Sequence, residues 1–188
     1  MNALKISLLL HCLFLGACLA GEPLELAQLK QIVAKEHDDK PISEALRIYP
    51  KVRAYEINIT NTVEGQDFDF EATAKEKWVD GKYIVSDLEH PERDEPIWMV
   101  VEFDAESKTY RKYVVLDGEL TTYQVGTRVA KTRSITWIDL SSSKFEIGDV
   151  DSINTETHTD TTTTWRSLFF KEGKLIRTET GTAKKAQP

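Results

Sequence analysis

Aromatic side chains on separate segments are the residues of this sequence that could build a binding site. In a closed barrel the inward residues alternate along every strand, so aromatic rings from different strands can converge on one cavity. Ligand sites are mostly apolar with a few placed polar groups. The predicted ligand-binding residues are Trp78, Tyr83, Tyr113, Tyr123, Trp137 and Trp165. The alternative is a filled core, which aromatic residues also build.

The orientation of the remaining tryptophan, Trp98, follows from the residues that share its face. Ile97, Met99 and Val101 share one face of its segment, whereas Trp98 shares the other face with Glu102. Because successive side chains of a strand point to opposite faces, we expect Trp98 to look towards solvent or towards the leading helix.

Residue types that catalyse reactions or bind metals are present without a recognisable pattern. Nucleophilic catalysis requires a base beside a Ser, Cys or Thr, and the histidines His37, His90 and His158 lie in no spacing that shows such a pair. The acidic loop around His90 and the alternating acids of 67–71 are typical of solvated surface. We therefore predict no catalytic residues, no metal site and no cofactor.

The start of the chain is typical of an export signal. Lys5 precedes an apolar run that ends in small residues, while Glu22 and Pro23 come too early for a transmembrane helix. Two processing routes fit. Cleavage before Gly21 gives a soluble product, and a lipobox at 15–18 gives a chain lipidated at Cys18. The mature protein is thus exported and is periplasmic, secreted or anchored as a lipoprotein.

Composition excludes some partners. The chain has 188 residues, 24 Lys and Arg, 31 Asp and Glu, and a net charge of −7. A nucleic-acid partner requires a clustered basic surface, and the basic run at 184–185 is too short to provide one. Both cysteines lie within the predicted signal, so the mature domain has no internal disulfide. Membrane contact is expected only through a lipid anchor, and the oligomeric state is left open.

The elements that position these residues change along the chain. Residues 24–36 carry apolar side chains at helical spacing, and a short helical turn follows at 43–48. From residue 52 onward the apolar period is two, which indicates strands, with separate ones expected at 67–72, 75–79, 144–147 and 152–159 among others. Asp80-Gly81 and Asp117-Gly118 sit between such segments, where Gly supplies the positive φ of a tight hairpin.

Short hairpins join only antiparallel strands, and a long meander of such strands closes on itself or forms two packed sheets. The predicted fold is therefore all-β with one N-terminal helix, an antiparallel barrel, with a β-sandwich as the alternative. The predicted segments are an export signal (1–20), a helical N-terminal segment (21–50), the barrel domain (51–183) and a flexible tail (184–188).

Several short motifs resemble those of one bacterial family. They are Trp78-Val79-Asp80-Gly81-Lys82-Tyr83, the segment 99–104 leading to Tyr110, Thr136-Trp137 and Gly173-Lys174-Leu175. In order and spacing over residues 50–183 they are similar to the DUF1579 family of exported bacterial proteins. The resemblance implies a lipocalin-like (calycin) β-barrel and brings no established activity.

Together these observations predict an extracytoplasmic barrel that binds a small apolar or amphipathic ligand. An interaction module with a filled barrel and an exposed apolar patch is the second possibility. An enzyme, a hydrolase or cyclase acting inside the barrel, is the third, and it requires a buried polar residue with a perturbed pKa in the cavity.

The two processing routes can be separated by one substitution. If Cys18 is lipidated, Cys18→Ser should release the protein from membrane fractions of its host and abolish labelling with radioactive palmitate, because the acyl acceptor is lost. A wild-type protein that stays soluble and begins at Gly21 would contradict the anchored form.

Overall fold

Ten antiparallel strands form a closed barrel in the computed structural model, which describes residues 22–90, 93, 95, 97–141 and 150–186. The strands are β1 Ala54–Val63, β2 Gln66–Val79, β3 Tyr83–Glu89, β4 Ile97–Asp104, β5 Thr109–Leu116, β6 Glu119–Arg128, β7 Ser134–Asp139, β8 Asp151–His158, β9 Thr162–Lys171 and β10 Lys174–Lys185. Each strand pairs with the next along the chain, and β10 returns to pair with β1. The predicted barrel is confirmed, and the sandwich alternative is wrong.

Alternation along the strands separates the lumen from the outer surface. In β8 every second residue is buried, from Ser152 to His158, while the residues between them are exposed. This period of two follows from strand geometry, because successive side chains point to opposite faces. The buried set of β8 faces the inside of the barrel.

Tight turns connect the strands as the sequence indicates. Asp80 and Gly81 have φ values of 55° and 63°, and Asp117 and Gly118 have values of 52° and 75°. Two successive residues with positive φ are typical of a type I′ hairpin, which matches the twist of the flanking strands. The prediction of tight hairpins at both places is confirmed.

Some boundaries differ from the sequence prediction. The segments 67–72 and 75–79, expected as two strands, form the single long strand β2, because Thr73 and Ala74 pair with β1 without interruption. Strand β10 continues to Lys185, which pairs with Tyr55, so it enters the predicted tail. The export signal and a strand expected at 144–147 lie outside the described residues.

The helix α1 (Leu26–Val33) covers the outer face of the barrel wall. Its buried Leu29 and Ile32 pack in one cluster with Val85, Val100 and Val115 of β3, β4 and β5. Among the described residues no helix is long and apolar enough to cross a membrane.

The chain before α1 is also fixed to this wall. The Arg111 guanidinium donates a hydrogen bond to the Glu22 carbonyl oxygen (3.0 Å), and the Leu24 amide donates to the Tyr113 hydroxyl (3.1 Å). The described part of the chain therefore begins on the outer surface of β5.

Residues 37–52, called here the plug, close one end of the barrel. They contain a 3₁₀ turn at Glu44–Ile48, and four buried side chains of the plug, Ile42, Leu46, Ile48 and Tyr49, pack in one cluster with Trp137. Hydrogen bonds fix the plug to strand connections at this end. The Ser43 amide donates to the Gly81 carbonyl (2.9 Å), and the Arg133 guanidinium donates to the Ile48 carbonyl (2.9 Å).

Two glycines inside strands provide room for tryptophan rings. A Cβ added to Gly126 would lie 2.5 Å from the Trp137 ring, and one added to Gly181 would lie 2.0 Å from the Trp165 ring. Both distances are far below van der Waals contact, and a strand glycine often marks such a close approach. These two positions therefore fix where the indoles lie inside the barrel.

Replacing turn glycines tests how the plug is attached. Gly81→Ala and Gly118→Ala both place a side chain at positive φ, which costs about 1–2 kcal/mol. A Cβ at Gly81 would also lie 2.6 Å from the Pro41 carbonyl oxygen of the plug, whereas at Gly118 the nearest atom is 4.0 Å away. We expect Gly81→Ala to lose at least about 1 kcal/mol more unfolding free energy in urea titrations than Gly118→Ala. Equal losses of unfolding free energy would show that the plug moves away from the added methyl group at no cost.

Candidate binding cavity

A cavity of about 580 Å³ lies inside the barrel. Residues from all ten strands line it, and Tyr49 of the plug reaches it from the closed end. Its volume falls within the range of about 300–1,000 Å³ that is usual for ligand sites. The interior is therefore not filled by side chains.

One side of the cavity wall, the apolar arc, is mainly hydrocarbon. It is formed by inward residues of β1 to β5, which alternate with outward ones as the strand period requires. Its apolar residues are Tyr55, Ile57, Ile59, Ala74, Ile84, Leu88, Ile97, Met99, Val101, Val114 and Leu116, and the same strands add the polar side chains of Glu76, Ser86 and Lys112. The arc offers a surface that an apolar molecule can cover.

The opposite side, the polar arc, is formed by β6 to β9 and carries a row of hydrogen-bonding groups. The Gln124 amide donates to the Ser152 hydroxyl (3.3 Å), and this hydroxyl donates to Asp139 (3.2 Å). The Asn154 amide nitrogen donates to the Ser167 hydroxyl (2.9 Å). Burial raises the pKa of Asp139, and hydrogen bonds from Ser141 and Ser152 oppose that rise.

A buried ion pair lies where the arcs meet, near the plug. Lys112 of β5 bonds the Glu156 carboxylate of β8 across the lumen, and its ammonium lies 4.2 Å from the centre of the Trp137 ring. Burial by itself would raise the pKa of Glu156, but the attraction of Lys112, the neighbouring His158, the hydrogen bond from Lys112 and the Trp137 indole together outweigh it, and the pKa is lowered. Glu156 is therefore ionised, and its charge is compensated.

His158 and Tyr49 form the floor beside this pair. Their rings lie 4.5 Å apart, and His158 Nδ1 shares a hydrogen bond of 2.9 Å with the Thr163 hydroxyl. Burial lowers the pKa of His158 to about 4, against an opposing effect from Glu156. The imidazole is thus neutral at pH 7, which fits its position beside Lys112.

Glu76 of β2 is a carboxyl group without a basic partner among the described residues. It faces the cavity next to Ser86, and the Trp78 indole donates a long hydrogen bond of 3.3 Å to it. Burial raises the pKa of Glu76 to about 8, although the bonds from Trp78 and Ser86 act against this. At pH 7 the group is mostly protonated.

The predicted aromatic residues divide between inside and outside. Trp165 lines the cavity and donates from its indole nitrogen to Glu179 (2.8 Å). Trp137 is fully buried between the plug and Lys112, and Trp78 packs at the edge of the plug. The three tryptophans of the prediction are thus on the inner face.

The three predicted tyrosines lie on the outer face, so their expected place in the cavity is corrected. Tyr83, Tyr113 and Tyr123 belong to the cluster beneath α1, where Trp98 also packs. The reason is alternation, since the inward neighbours of Tyr113 and Tyr123 are Lys112 and Gln124. A lysine and a glutamine were not expected to face the interior.

Sequence reasoning missed the polar cavity residues. Glu76, Lys112, Asn154 and Glu156 belong to residue types that are usually exposed. Their common signal is spacing, because each lies two residues from another inward residue of its strand, such as Asn154 and Glu156 in β8. This signal is usable only once the facing of the strand is known.

Within the described residues no group of three or more His, Cys, Asp or Glu side chains is arranged to hold a metal ion. Part of the acidic loop around His90, and Cys18 of the predicted lipobox, lie outside the described residues.

Comparison with known proteins places the fold but not the function. The chain matches no protein-family model, and no curated protein matches it. Its fold is similar to that of Rv2717c from M. tuberculosis, with a TM-score of 0.55, 9% identity, and coverage of 78% of this chain and 99% of that one. The resemblance to DUF1579 stays a prediction.

A second similar structure is a protein of unknown function from the DUF3598 family of Nostoc punctiforme. The TM-score is 0.52 at 9% identity, over 78% of this chain. The matched region spans about half of that protein, 51% of its length. At such low identity the likeness shows the β-barrel fold alone.

The partly buried position of Glu76 at the cavity wall predicts a pH-dependent stability. Its pKa rises from 4.5 in the unfolded chain to about 8 in the folded one, so the unfolded chain ionises first and wild-type stability falls as pH rises between these values. Glu76→Gln cannot ionise. Its stability relative to wild type should therefore increase with pH by up to about 1.4 kcal/mol per unit between about pH 5 and pH 8.

Urea titrations at several pH values measure this difference. The contribution of His158, which rises with pH between about 4 and 6.5, is common to both proteins and cancels. Glu71→Gln on the exposed outer face of β2 is the control. Its unfolding free energy relative to wild type should not change with pH. If the unfolding free energy of Glu76→Gln relative to wild type is also independent of pH, Glu76 is well solvated.

Proposed function

We propose that this protein binds a small amphipathic molecule inside its barrel, outside the cytoplasm. The observation that carries the proposal is the two-sided cavity, with hydrocarbon side chains on β1 to β5 and hydrogen-bonding groups on β6 to β9. A molecule with one apolar and one polar side satisfies both arcs. Each 100 Å² of apolar surface it buries contributes roughly 2.5 kcal/mol.

A catalytic use of the cavity has weaker support. The pair of a hydroxyl with a histidine at the cavity is Thr163 with His158, whose hydroxyl and ring nitrogen lie 2.9 Å apart. His158 is a weak base because burial lowers its pKa to about 4, and its other nitrogen lies 3.8 Å from Glu156, beyond hydrogen-bond distance. A binding function requires no such pair.

An interaction module is the second candidate, because apolar side chains are exposed on two hairpins. Val63 and Phe68 of the β1–β2 hairpin and Leu175 and Ile176 of β10 are between 37% and 54% exposed. Exposed apolar patches often mark contact surfaces. The cavity volume argues against the filled barrel that this candidate assumed.

Binding can be tested with N-phenyl-1-naphthylamine, an uncharged dye whose emission rises in apolar surroundings. Wild-type protein should bind it saturably. Met99→Trp with Val114→Trp adds two indoles at cross-strand neighbours that line the cavity, and this variant should bind at least several-fold more weakly because the space is occupied.

The matched control is Thr155→Trp with Arg166→Trp, a cross-strand pair on the exposed outer face of β8 and β9. It should bind the dye like wild type, and circular dichroism should show all three proteins folded. Equal binding by the filled and the control variants would place the dye on the surface and contradict the proposal. Absence of saturable binding would favour the interaction module.

A further inference from the structure

The charges that face the cavity are unbalanced. Four carboxyl groups line it, those of Glu76, Asp139, Glu156 and Glu179, against the basic side chains of Lys112 and Arg177. Lys112 compensates Glu156. The Arg177 guanidinium stacks over the Phe169 ring, 3.6 Å from its centre. Within the described part of the chain, Glu76, Asp139 and Glu179 form no ion pair, so carboxyl oxygens exceed cations inside the barrel.

The hydrogen bond that Glu76 accepts from the Trp78 indole (3.3 Å) is longer than those that Asp139 and Glu179 accept. Asp139 accepts bonds from Ser141 and Ser152, and Glu179 accepts a bond of 2.8 Å from the Trp165 indole. Glu76 has only the long bond from the Trp78 indole and the Ser86 hydroxyl beside it. Ser86 of β3 lies directly opposite it. On the β1 side its backbone amide donates to the carbonyl oxygen of Arg53, whose guanidinium contacts His37 of the plug.

A second unpaired acceptor lies on the opposite wall. Asn154 is 8% exposed, and its amide nitrogen is used by Ser167. Its carbonyl oxygen has no hydrogen-bond partner among the described residues, although it belongs to the cavity lining. A buried acceptor without a donor costs about 1–3 kcal/mol, so a donor brought by a ligand would be stabilised here.

We infer that the ligand carries a protonated amine and that Glu76 is its counter-ion, with the apolar part of the ligand on the arc of β1 to β5. This inference rests on the proposed function and names the chemical class of the ligand. A carboxyl group facing a partly dry cavity is stabilised in its ionised form by an adjacent cation. An ammonium group in turn requires a paired partner when it leaves water.

Binding of a charged amine is then linked to release of the Glu76 proton. Glu76 is mostly protonated at pH 7 in the free protein, since burial raises its pKa to about 8. An ammonium beside it would favour the carboxylate, so binding should release close to one proton per amine. The charged and titratable groups around Glu76 are Tyr49 and Lys51 of the plug, Arg53, Tyr55 of β1 and, on the far side of Tyr49, Glu156 of β8. The Lys51 ammonium lies over the Trp78 ring at 5.6 Å, and the Arg53 guanidinium contacts His37. The phenols have raised pKa values, and Lys112 holds the charge of Glu156.

Three probes share a dodecyl hydrocarbon tail and differ only in the charge of the head group. They are dodecylamine, dodecanol and dodecanoate, each used below its critical micelle concentration. Each competes with the bound dye in the wild-type protein, in Glu76→Gln and in Glu71→Gln, the exposed control on the same strand. Calorimetry in buffers of different ionisation enthalpy measures the protons released.

We expect dodecylamine to displace the dye at a concentration at least tenfold below that of dodecanol, with release of about one proton. Glu76→Gln should abolish the proton release and make dodecylamine and dodecanol displace the dye at similar concentrations, and Glu71→Gln should behave like wild type. Equal displacement by dodecylamine and dodecanol without proton release would overturn the inference and leave the proposed function standing. Preference for dodecanoate would also overturn it, because Lys112 or Arg177 would then be the counter-ion. Failure of all three probes to displace the dye would overturn both the inference and the proposed function.

Discussion

Closure of the sheet between β1 and β10 is the constraint on which every other feature depends. Nine residue pairs, from Tyr55 with Lys185 to Val63 with Arg177, join the first strand to the last. They pair the edges that an open sheet would expose. They also bring the hydrocarbon of β1 opposite the polar groups of β8, so the two-sided cavity exists only in the closed form. Because the joined strands are far apart in sequence, this pairing carries the largest loop-closure cost of the fold.

Closure also explains how charged residues are tolerated inside the barrel. Lys112 and Glu156 come from strands on different sides of the lumen and meet near the plug, where Trp137 covers the ammonium. Removing one partner would leave an uncompensated buried charge, which costs far more than the pair contributes. The pair therefore specifies how β5 and β8 face each other. Glu76 lacks such a partner and remains neutral instead, which makes its protonation sensitive to what enters the cavity.

Local sequence signals predicted the fold well and the site only in part. Asp-Gly turns, the helical spacing before residue 36 and the alternation in β8 each depend on neighbouring residues, and all appear as expected. Which face of a strand points inward depends on the whole barrel and on α1. The apolar face of β5, with Tyr113 and Val115, packs beneath α1 on the outside, so the inner face carries Lys112. Hydrophobicity alone therefore assigned these tyrosines to the wrong side.

The hydrogen bond from Arg111 to Glu22 limits how far a lipid anchor on Cys18 could lie from the barrel. It fixes the chain to the outer wall of β5 only four residues after Cys18. Four extended residues span at most about 14 Å. If Cys18 carried a diacylglycerol, the linker between the lipid and the barrel would therefore be short. The barrel would lie against the bilayer with the side of β5 turned to the lipid headgroups, and its freedom to tumble would be small.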